Sequence, residues 1–267
     1  MPDTSASGLN INEKRRRMLK LIAGIPLGAM LADPGFSAEA ECCLEDVEIT
    51  AGPAGRKVRA ALAMPDKTPA AAIILFHEWW GLNAQIRTVA LDLAAKQGLM
   101  ALAVDLYGGG VATTPEAAQA LMSAVNPAEA TETCVAWLDW LKGHSGCNGK
   151  LATIGWCFGG GWSLNASLAV PVDATVIYYG NVKKTADQLK SLKGPVLGHF
   201  AKRDQWINEA MVSGFEAEMA KAGNQLTAYR YDADHAFANP TGDHYNRADA
   251  NLAWRRTTEF LKANLGA

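Results

Sequence analysis

The chain has 267 residues, of which 49% are hydrophobic, and a formal net charge of −2 at pH 7. This length and hydrophobic content suit one α/β domain of ordinary size and are too small for two large ones. The body of the chain contains no lysine–arginine run that could follow a phosphate backbone, which argues against a nucleic-acid-binding protein.

The first forty residues have the composition of an export signal. A basic block at 14–20 precedes an apolar run at 21–32, and Ala38-Glu39-Ala40 supplies the small residues that a signal peptidase requires. The basic block resembles a twin-arginine signal, and the apolar run is too short for a permanent membrane anchor. We therefore predict a cleaved signal peptide at 1–40, a folded domain at 41–267 and a periplasmic location. The alternative is an N-terminal amphipathic helix that the mature protein keeps.

The cysteine content is compatible with an oxidising compartment. Five cysteines occur, namely Cys42, Cys43, Cys134, Cys147 and Cys157. An odd number leaves at least one thiol free in a single chain. Because adjacent Cys42 and Cys43 would strain if joined to each other, pairing with Cys134 or Cys147 is expected. No pair has zinc-ligand spacing, and the sequence predicts neither a metal nor another cofactor.

From residue 44 onward, short β-rich runs alternate with longer helical patterns. An opening hairpin is predicted at 47–50 and 58–62, because Gly52, Pro53 and Gly55 separate two alternating runs. The next predicted strand, at 71–76, is apolar throughout, which is typical of a strand buried on both faces. Further strands follow it. They lie at 99–104, 150–154, 174–179, 195–200 and 225–231, and the predicted helices lie at 84–97, 115–123, 128–142, 158–169, 185–191, 207–222 and 243–264. This alternation predicts a mainly parallel, doubly wound sheet with helices on both faces.

A nucleophile motif lies between the strand at 150–154 and the helix at 158–169. Gly155-Trp156-Cys157-Phe158-Gly159 fits the pattern of a nucleophile elbow, a tight turn whose flanking positions have no room for a Cβ atom. The turn would present the Cys157 sulfur at a helix N-terminus, whose dipole favours a thiolate. The main-chain N–H groups of Trp79 and Phe158 would then form an oxyanion hole. The alternative is a buried cysteine in a glycine-rich helix start.

His235 is the predicted general base because it follows the last strand. Asp204 follows the preceding strand and would fix the orientation and tautomer of the imidazole. The chain order of cysteine, aspartate and histidine is that of an α/β-hydrolase. Two other histidines that end strands, His77 and His199, are interpreted as packing or hydrogen-bonding groups.

Further residues next to the predicted strand ends are candidates for the site. Glu78 lies beside the predicted oxyanion hole and could hydrogen-bond the Cys157 thiol until substrate arrives; the alternative is a solvated loop acid. Aromatic and polar neighbours of these motifs predict the wall of a substrate pocket. They are Trp80, Tyr107, Trp206, Phe237 and Asn239.

Together, these motifs resemble the dienelactone hydrolase family over essentially all of the chain after residue 44. The resemblance is carried by His77-Glu78-Trp79-Trp80-Gly81-Leu82-Asn83, Asp105-Leu106-Tyr107-Gly108-Gly109, Gly155-Trp156-Cys157-Phe158-Gly159-Gly160, Tyr178-Tyr179-Gly180 and His235-Ala236-Phe237. It implies an α/β-hydrolase fold with a triad of Cys157, Asp204 and His235. It also implies an oxyanion hole from the main chain of Trp79 and Phe158, and a contact between Glu78 and the thiol.

The function expected from the motifs and the resemblance is hydrolysis of a small-molecule carboxylic ester, lactone or thioester by a monomeric enzyme through an acyl-thioenzyme. The resemblance implies arginines that hold a substrate carboxylate at the positions of Gly109 and Asn239, so dienelactone itself is not the expected substrate. Two other classes are open. One is a non-catalytic binding protein on this scaffold. The other is redox chemistry at Cys157, for which the sequence has no Cys-x-x-Cys motif.

Overall fold

The computed structural model describes residues 19–22, 24–33, 35 and 43–266. Eight strands form one sheet, with helices packed against it. The strands are β1 (Glu45–Ala51), β2 (Arg56–Ala63), β3 (Ala70–Phe76), β4 (Met100–Val104), β5 (Cys147–Trp156), β6 (Ala174–Tyr178), β7 (Val196–Ala201) and β8 (Leu226–Tyr231). The helices are α1 (Leu27–Leu31), α2 (Ala84–Gln97), α3 (Pro115–Ala124), α4 (Pro127–Gly143), α5 (Phe158–Ala169), α6 (Ala186–Leu189), α7 (Glu209–Ala222) and α8 (Arg247–Leu265).

The sheet is parallel except at one edge. Its strand order is β1-β2-β4-β3-β5-β6-β7-β8. β1, β2 and β4 pair antiparallel, and every pair from β4 to β8 is parallel. The predicted hairpin and mainly parallel sheet are confirmed. After β3 the chain forms β4 on one side of β3 and then β5 on the other side of β3. Such a reversal of strand order opens a ligand crevice at the carboxyl ends of the strands.

The side chains of β3 alternate between two apolar layers. Ile73 lies in a cluster with Leu91 of α2 and Leu261 of α8, whereas Ile74 lies in a second cluster with Trp137 of α4. This period of two is that of a β-strand. Because helices cover both faces, each large apolar side chain of the strand is buried, which stabilises the fold by about 1.5–3 kcal/mol per residue.

Asparagine side chains determine where several helices begin. Asn83 caps α2, and Gly98 ends that helix in the left-handed conformation, so the predicted bounds of 84–97 are confirmed. Asn208 and Asn246 cap α7 and α8 in the same way. These helices begin at residues 209 and 247 rather than at the predicted 207 and 243, because a capping residue keeps an extended backbone.

Part of the N-terminal segment packs against α2 and α8. Residues 19–22 are helical, and Ile22 and Leu31 are buried against the domain. The Lys96 side chain of α2 donates to the carbonyl oxygen of Ile25, and a cavity of about 280 Å³ lies between α1, α2 and α8. The basic residues 14–17 and the predicted cleavage motif at 38–40 lie outside the described residues. No helix of the described chain is long and apolar enough to cross a membrane.

Three cysteines of the described chain carry free thiols. They are Cys134, Cys147 and Cys157. The disulfides expected for Cys134 or Cys147 are therefore not present in the part of the chain that the structure describes. Cys134 is buried within α4, and this burial raises the pKa of its thiol.

Candidate active site

Cys157 occupies the turn between β5 and α5. Its backbone has φ 54° and ψ −116°, outside the regions favoured by L residues. A Cβ atom on Gly155 would lie 2.0 Å from the carbonyl oxygen of Gly159, and one on Gly160 would lie 2.6 Å from that of Tyr178. The glycines of the motif are therefore required by close packing, and the turn has the backbone geometry of a nucleophile elbow.

The same turn packs against the end of β3. A Cβ atom on Gly159 would lie 2.2 Å from the carbonyl oxygen of Phe76 and 2.4 Å from that of His77. This contact brings the first turn of α5 next to the loop that carries Trp79. Within the described chain, the main-chain N–H groups of Trp79 and Phe158 donate to no other protein group. Both remain available to an oxyanion.

His235 and Asp204 form a hydrogen-bonded pair beyond the ends of β8 and β7. His235 Nδ1 donates to Asp204 Oδ2 at 2.5 Å, while Asp204 Oδ1 accepts from the main-chain N–H groups of Trp206 and Ile207, both at 2.9 Å. Burial opposes ionisation of this carboxyl, but the hydrogen bond from His235 holds the Asp204 pKa below its ordinary value. The backbone thus fixes one carboxylate oxygen, and the other orients the imidazole.

The imidazole of His235 also interacts with the Cys157 sulfur. Burial acts to lower the His235 pKa, but the hydrogen bond with Asp204 and the nearby Cys157 thiol outweigh it and raise the pKa to about 10. The rings of Tyr179 and Trp206 flank the imidazole at centroid distances of 5.1 and 5.2 Å. The structure therefore brings the predicted sulfur, imidazole and carboxylate together in one chain of interactions.

Arg203 links the loop of Asp204 to the loop of His235. Its guanidinium contacts Asp232 at 2.5 Å and Asp234 at 3.1 Å. These two aspartates, which precede His235 closely in sequence, are therefore engaged by Arg203 at the surface. The imidazole takes its carboxylate partner from Asp204 instead.

Glu78 is buried within the site and hydrogen-bonded to two side chains. Its Oε1 accepts from the Tyr179 hydroxyl at 3.1 Å, and its Oε2 accepts from Asn239 Nδ2 at 2.5 Å. With an exposed fraction of 4%, it is not a solvated loop acid. Burial raises its pKa despite both hydrogen bonds. The contact with the Cys157 thiol stays a prediction, because the two oxygens here have other partners.

Strained backbone is concentrated at the same edge of the sheet. In the described chain, the non-glycine residues with positive φ are Cys157 at 54°, Tyr179 at 37° and Ala236 at 62°. Cys157 and Tyr179 follow β5 and β6 directly, and Ala236 follows His235. Such conformations cost free energy and persist only where the surrounding packing imposes them, which is typical of functional sites.

The two remaining strand-end histidines have structural partners. His77 Nδ1 donates to the carbonyl oxygen of the following residue at 2.6 Å, and its Nε2 accepts from the Leu106 N–H at 3.2 Å. His199 is hydrogen-bonded to Tyr231 and Thr257. Burial lowers the pKa of both histidines, that of His199 to about 3. Their interpretation as hydrogen-bonding groups is confirmed. No three His, Cys, Asp or Glu side chains of the described residues are arranged to hold a metal ion.

The predicted pocket residues fall into accessible and buried groups. Trp80 is partly exposed, Trp206 has 68% of its surface exposed beside the imidazole, and Tyr107 is half-buried. Phe237 is fully buried between the rings of two tyrosines, so its prediction as a pocket residue is wrong. Asn239 is 3% exposed, and its amide group holds the Glu78 carboxylate.

Tyr179 is the residue of the site whose function the sequence analysis missed. Its hydroxyl donates to Glu78, and its ring packs against His235. Its place in the sequence could have indicated this role, because Tyr179 directly follows β6. In the sheet, β6 lies between β5, which precedes Cys157, and β7, which precedes Asp204. A polar aromatic residue at that position of a parallel sheet lies next to any site built at the strand ends.

A sequence profile of the dienelactone hydrolase family matches residues 58–265. The chain belongs to this family. Among curated relatives, protein usf of Aquifex pyrophilus is 30% identical over 221 residues, which cover 79% of this chain and 95% of the relative. The carboxymethylenebutenolidase of Pseudomonas putida is 28% identical over 222 residues, which cover 78% of this chain and 92% of the relative.

The fold of this dienelactone hydrolase family member is also found in solved structures. A dienelactone hydrolase-like promiscuous phosphotriesterase from metagenomic libraries matches it with a TM-score of 0.75 at 20% identity. The match covers 84% of this chain and 100% of that chain. The chain therefore has the α/β-hydrolase fold, and its family is that of hydrolases acting on ester or lactone bonds.

Proposed function

We propose that this protein cleaves a carboxylic ester or lactone through a triad of Cys157, His235 and Asp204, with an acyl-thioenzyme intermediate. The observation that carries the proposal is the chain of interactions from the Asp204 carboxylate through the imidazole to the sulfur at the elbow. A carboxylate that fixes Nδ1 leaves Nε2 free to exchange a proton with the sulfur, and this arrangement activates a nucleophile.

In the first step, His235 Nε2 holds the proton of the Cys157 thiol, as the raised pKa of the imidazole favours, and the thiolate sulfur attacks the carbonyl carbon. A carbon–sulfur bond forms while the π electrons of the carbonyl move to its oxygen. The main-chain N–H groups of Trp79 and Phe158 donate to this oxyanion, and the N-terminus of α5 adds a favourable field.

In the second step, the oxyanion collapses and the bond to the leaving oxygen breaks. That oxygen takes the proton from His235 and departs as an alcohol, or in a lactone becomes a hydroxyl of the same molecule. The acyl group stays on Cys157 as a thioester. Water then gives a proton to His235 while its oxygen attacks the thioester carbon, and collapse of this second intermediate releases the carboxylic acid and regenerates the thiol.

The same proposal includes a contact between Glu78 and the thiol before substrate arrives. Because both Glu78 oxygens are engaged here, the carboxylate would have to leave Tyr179 or Asn239 to reach the sulfur. The proposal therefore involves two positions of Glu78. The position described here is the one in which Tyr179 and Asn239 are its partners.

The proposed substrate is a small ester or lactone without a carboxylate that needs a cationic partner. The name of the Pseudomonas putida relative indicates a butenolide lactone for that protein. In this chain, Asn239 occupies a position where the family pattern implies an arginine, and its amide group is bonded to Glu78. It therefore offers no positive charge to a substrate carboxylate.

We also propose that the protein is exported through the twin-arginine pathway and acts in the periplasm as a monomer. The basis is the basic block, the apolar run and the small-residue motif of the first forty residues. Periplasmic protein is expected to begin at Glu41, and the double substitution Arg15→Lys and Arg16→Lys should leave uncleaved precursor in the cytoplasm. Periplasmic protein that still contains the first forty residues would contradict the cleavage.

The triad is tested by turnover of p-nitrophenyl acetate. Cys157→Ala should reduce turnover to the background rate, because the attacking atom is removed. Cys147→Ala is the matched control, since Cys147 is also a partly exposed free thiol but lies at the opposite end of β5. Undiminished turnover by folded Cys157→Ala protein would refute the proposal.

A further inference from the structure

Tyr107 carries a buried hydroxyl group without a partner at the edge of the site. Its oxygen has almost no solvent contact and forms no hydrogen bond within the described chain. Buried polar groups are nearly always hydrogen-bonded, because the loss of hydration without a replacement partner costs free energy. An unpartnered hydroxyl on a ring that packs against the elbow therefore points to a ligand that supplies the missing partner.

The Tyr107 ring is held by the elbow and by the loop after β3. Its centroid lies 4.6 Å from that of His77 and 5.5 Å from that of Phe158, the residue that follows Cys157. Its main-chain N–H donates to the Asp105 carboxylate at 2.8 Å. The ring is therefore fixed against the elbow. Burial, together with the nearby Cys157, raises the Tyr107 pKa, so the hydroxyl keeps its proton and can act as a donor.

The strand order determines which part of a substrate meets Tyr107. His235 follows β8, whereas Tyr107 follows β4, on the opposite side of β5 and Cys157. In the proposed mechanism His235 protonates the leaving oxygen, so the leaving group lies on the β8 side. In that mechanism the acyl group extends from the carbonyl carbon away from the leaving group, on the side of Cys157 where Tyr107 lies.

We propose that Tyr107 donates a hydrogen bond to an ether or keto oxygen in the acyl part of the substrate. The natural substrates are then esters or lactones whose acyl chain carries such an oxygen. This inference rests on the proposed function, because it takes the acyl group to be bound at Cys157. A purely hydrocarbon acyl chain would leave the hydroxyl unpartnered and would be discriminated against.

The test compares p-nitrophenyl esters that differ by one oxygen. Methoxyacetate is paired with butanoate, and 4-oxopentanoate with 4-methylpentanoate, so that each oxygenated chain has a hydrocarbon counterpart of similar shape. The ratio of kcat/KM within each pair is measured for the wild type and for Tyr107→Phe. Comparing this ratio between the two proteins cancels the intrinsic reactivity of the esters. The ratio should fall about tenfold in Tyr107→Phe for at least one pair, as expected for one lost hydrogen bond. Tyr245→Phe, at the cavity beside α1, is the control and should leave both ratios unchanged.

A second measurement distinguishes recognition from a structural role. Because the hydroxyl has no protein partner, Tyr107→Phe should unfold at the same urea concentration as the wild type or a higher one. Lower stability would show a protein partner for the hydroxyl and overturn the inference. Unchanged ratios in both pairs would also overturn it. An equal loss of kcat/KM on both members of each pair is one such result, because it leaves the ratio unchanged. Turnover that survives in Cys157→Ala would instead refute the proposed function itself.

Discussion

The Asn239 amide and the Glu78 carboxylate are joined by a buried hydrogen bond of 2.5 Å, although 161 positions separate them in sequence. Glu78 follows β3, and Asn239 lies in the loop after β8. This bond therefore connects the side of the site that carries the proposed oxyanion hole to the side that carries His235. It also gives a buried carboxylate one of its two donors, the other being the Tyr179 hydroxyl.

Asn239→Ala should destabilise the protein, and more at high pH than at low pH. Burial raises the Glu78 pKa, so the folded state favours the protonated acid, and its stability decreases as the pH rises from the unfolded pKa toward the folded one. Loss of the Asn239 donor raises the folded pKa further. We expect a loss of about 1–3 kcal/mol near pH 8 and a smaller one near pH 5, measured by urea denaturation. As a control, Asn239→Ala in a Glu78→Gln background should lower the free energy of unfolding equally at both pH values. An equal loss at both pH values in the wild-type background would contradict the role given to Glu78.

The ion pair of His235 and Asp204 should make stability depend on alkaline pH. The folded pKa of His235 is raised to about 10 from its ordinary 6.5. A raised pKa contributes stability that is complete below the unfolded pKa and is lost as the pH rises through the folded pKa. The free energy of unfolding should therefore fall between about pH 6.5 and 10 in the wild type, and less so in Asp204→Asn. Asp234→Asn is the control, because Asp234 contacts Arg203. Equal pH profiles for Asp204→Asn and the wild type would be inconsistent with the pairing.

Two adjacent glycines of α5 should respond oppositely to alanine. A Cβ atom on Gly160 would lie 2.6 Å from the Tyr178 carbonyl oxygen, whereas one on Gly161 would lie 3.5 Å from that of Asn181. Gly160→Ala should cost about 1–3 kcal/mol or more, because backbone must move. Gly161→Ala should be neutral or stabilise by up to about 1 kcal/mol through helix propensity. Thermal unfolding of both variants measures the difference, and equal effects would argue against the close packing of the elbow.

Trp206 should favour aromatic leaving groups. Its exposed indole lies 5.2 Å from the His235 ring, on the side where the mechanism places the leaving group. Trp206→Ala should lower kcat/KM for phenyl acetate more than for ethyl acetate, by about 2–10-fold, as expected for loss of one aromatic contact. Trp140→Ala, on α4 at the other face of the sheet, should not change this ratio. If the two esters are affected equally by Trp206→Ala, the indole does not select the leaving group.

The elbow could be predicted from sequence because its constraint is local. Gly155 and Gly159 stand at fixed distances from Cys157 in the chain, and no room for a Cβ is left at either position. The positions of Asp204 and His235 were also predictable, since the carboxyl ends of parallel strands meet at one edge. The helix starts at residues 209 and 247 were harder to predict from the sequence, because an asparagine cap resembles a first helical residue in a periodic pattern.

The partners of Glu78 could not be predicted, because they depend on how distant loops pack. Neither Tyr179 nor Asn239 is near Glu78 in sequence. The same limit explains the error at Phe237. An aromatic residue two positions after the predicted base looks like a pocket wall, but the positive φ of Ala236 accompanies a turn after which the Phe237 ring enters the core.

The central claim is that the Cys157 sulfur carries the acyl group during turnover. Its most direct test is mass spectrometry of the intact enzyme and its peptides after an acid quench of the reaction with p-nitrophenyl trimethylacetate, whose bulky acyl group slows attack by water. We predict one trimethylacetyl group per chain, located on Cys157 and formed in step with the first equivalent of p-nitrophenol. Release of p-nitrophenol with the enzyme mass unchanged, or with the acyl group on another residue, would contradict the acyl-thioenzyme.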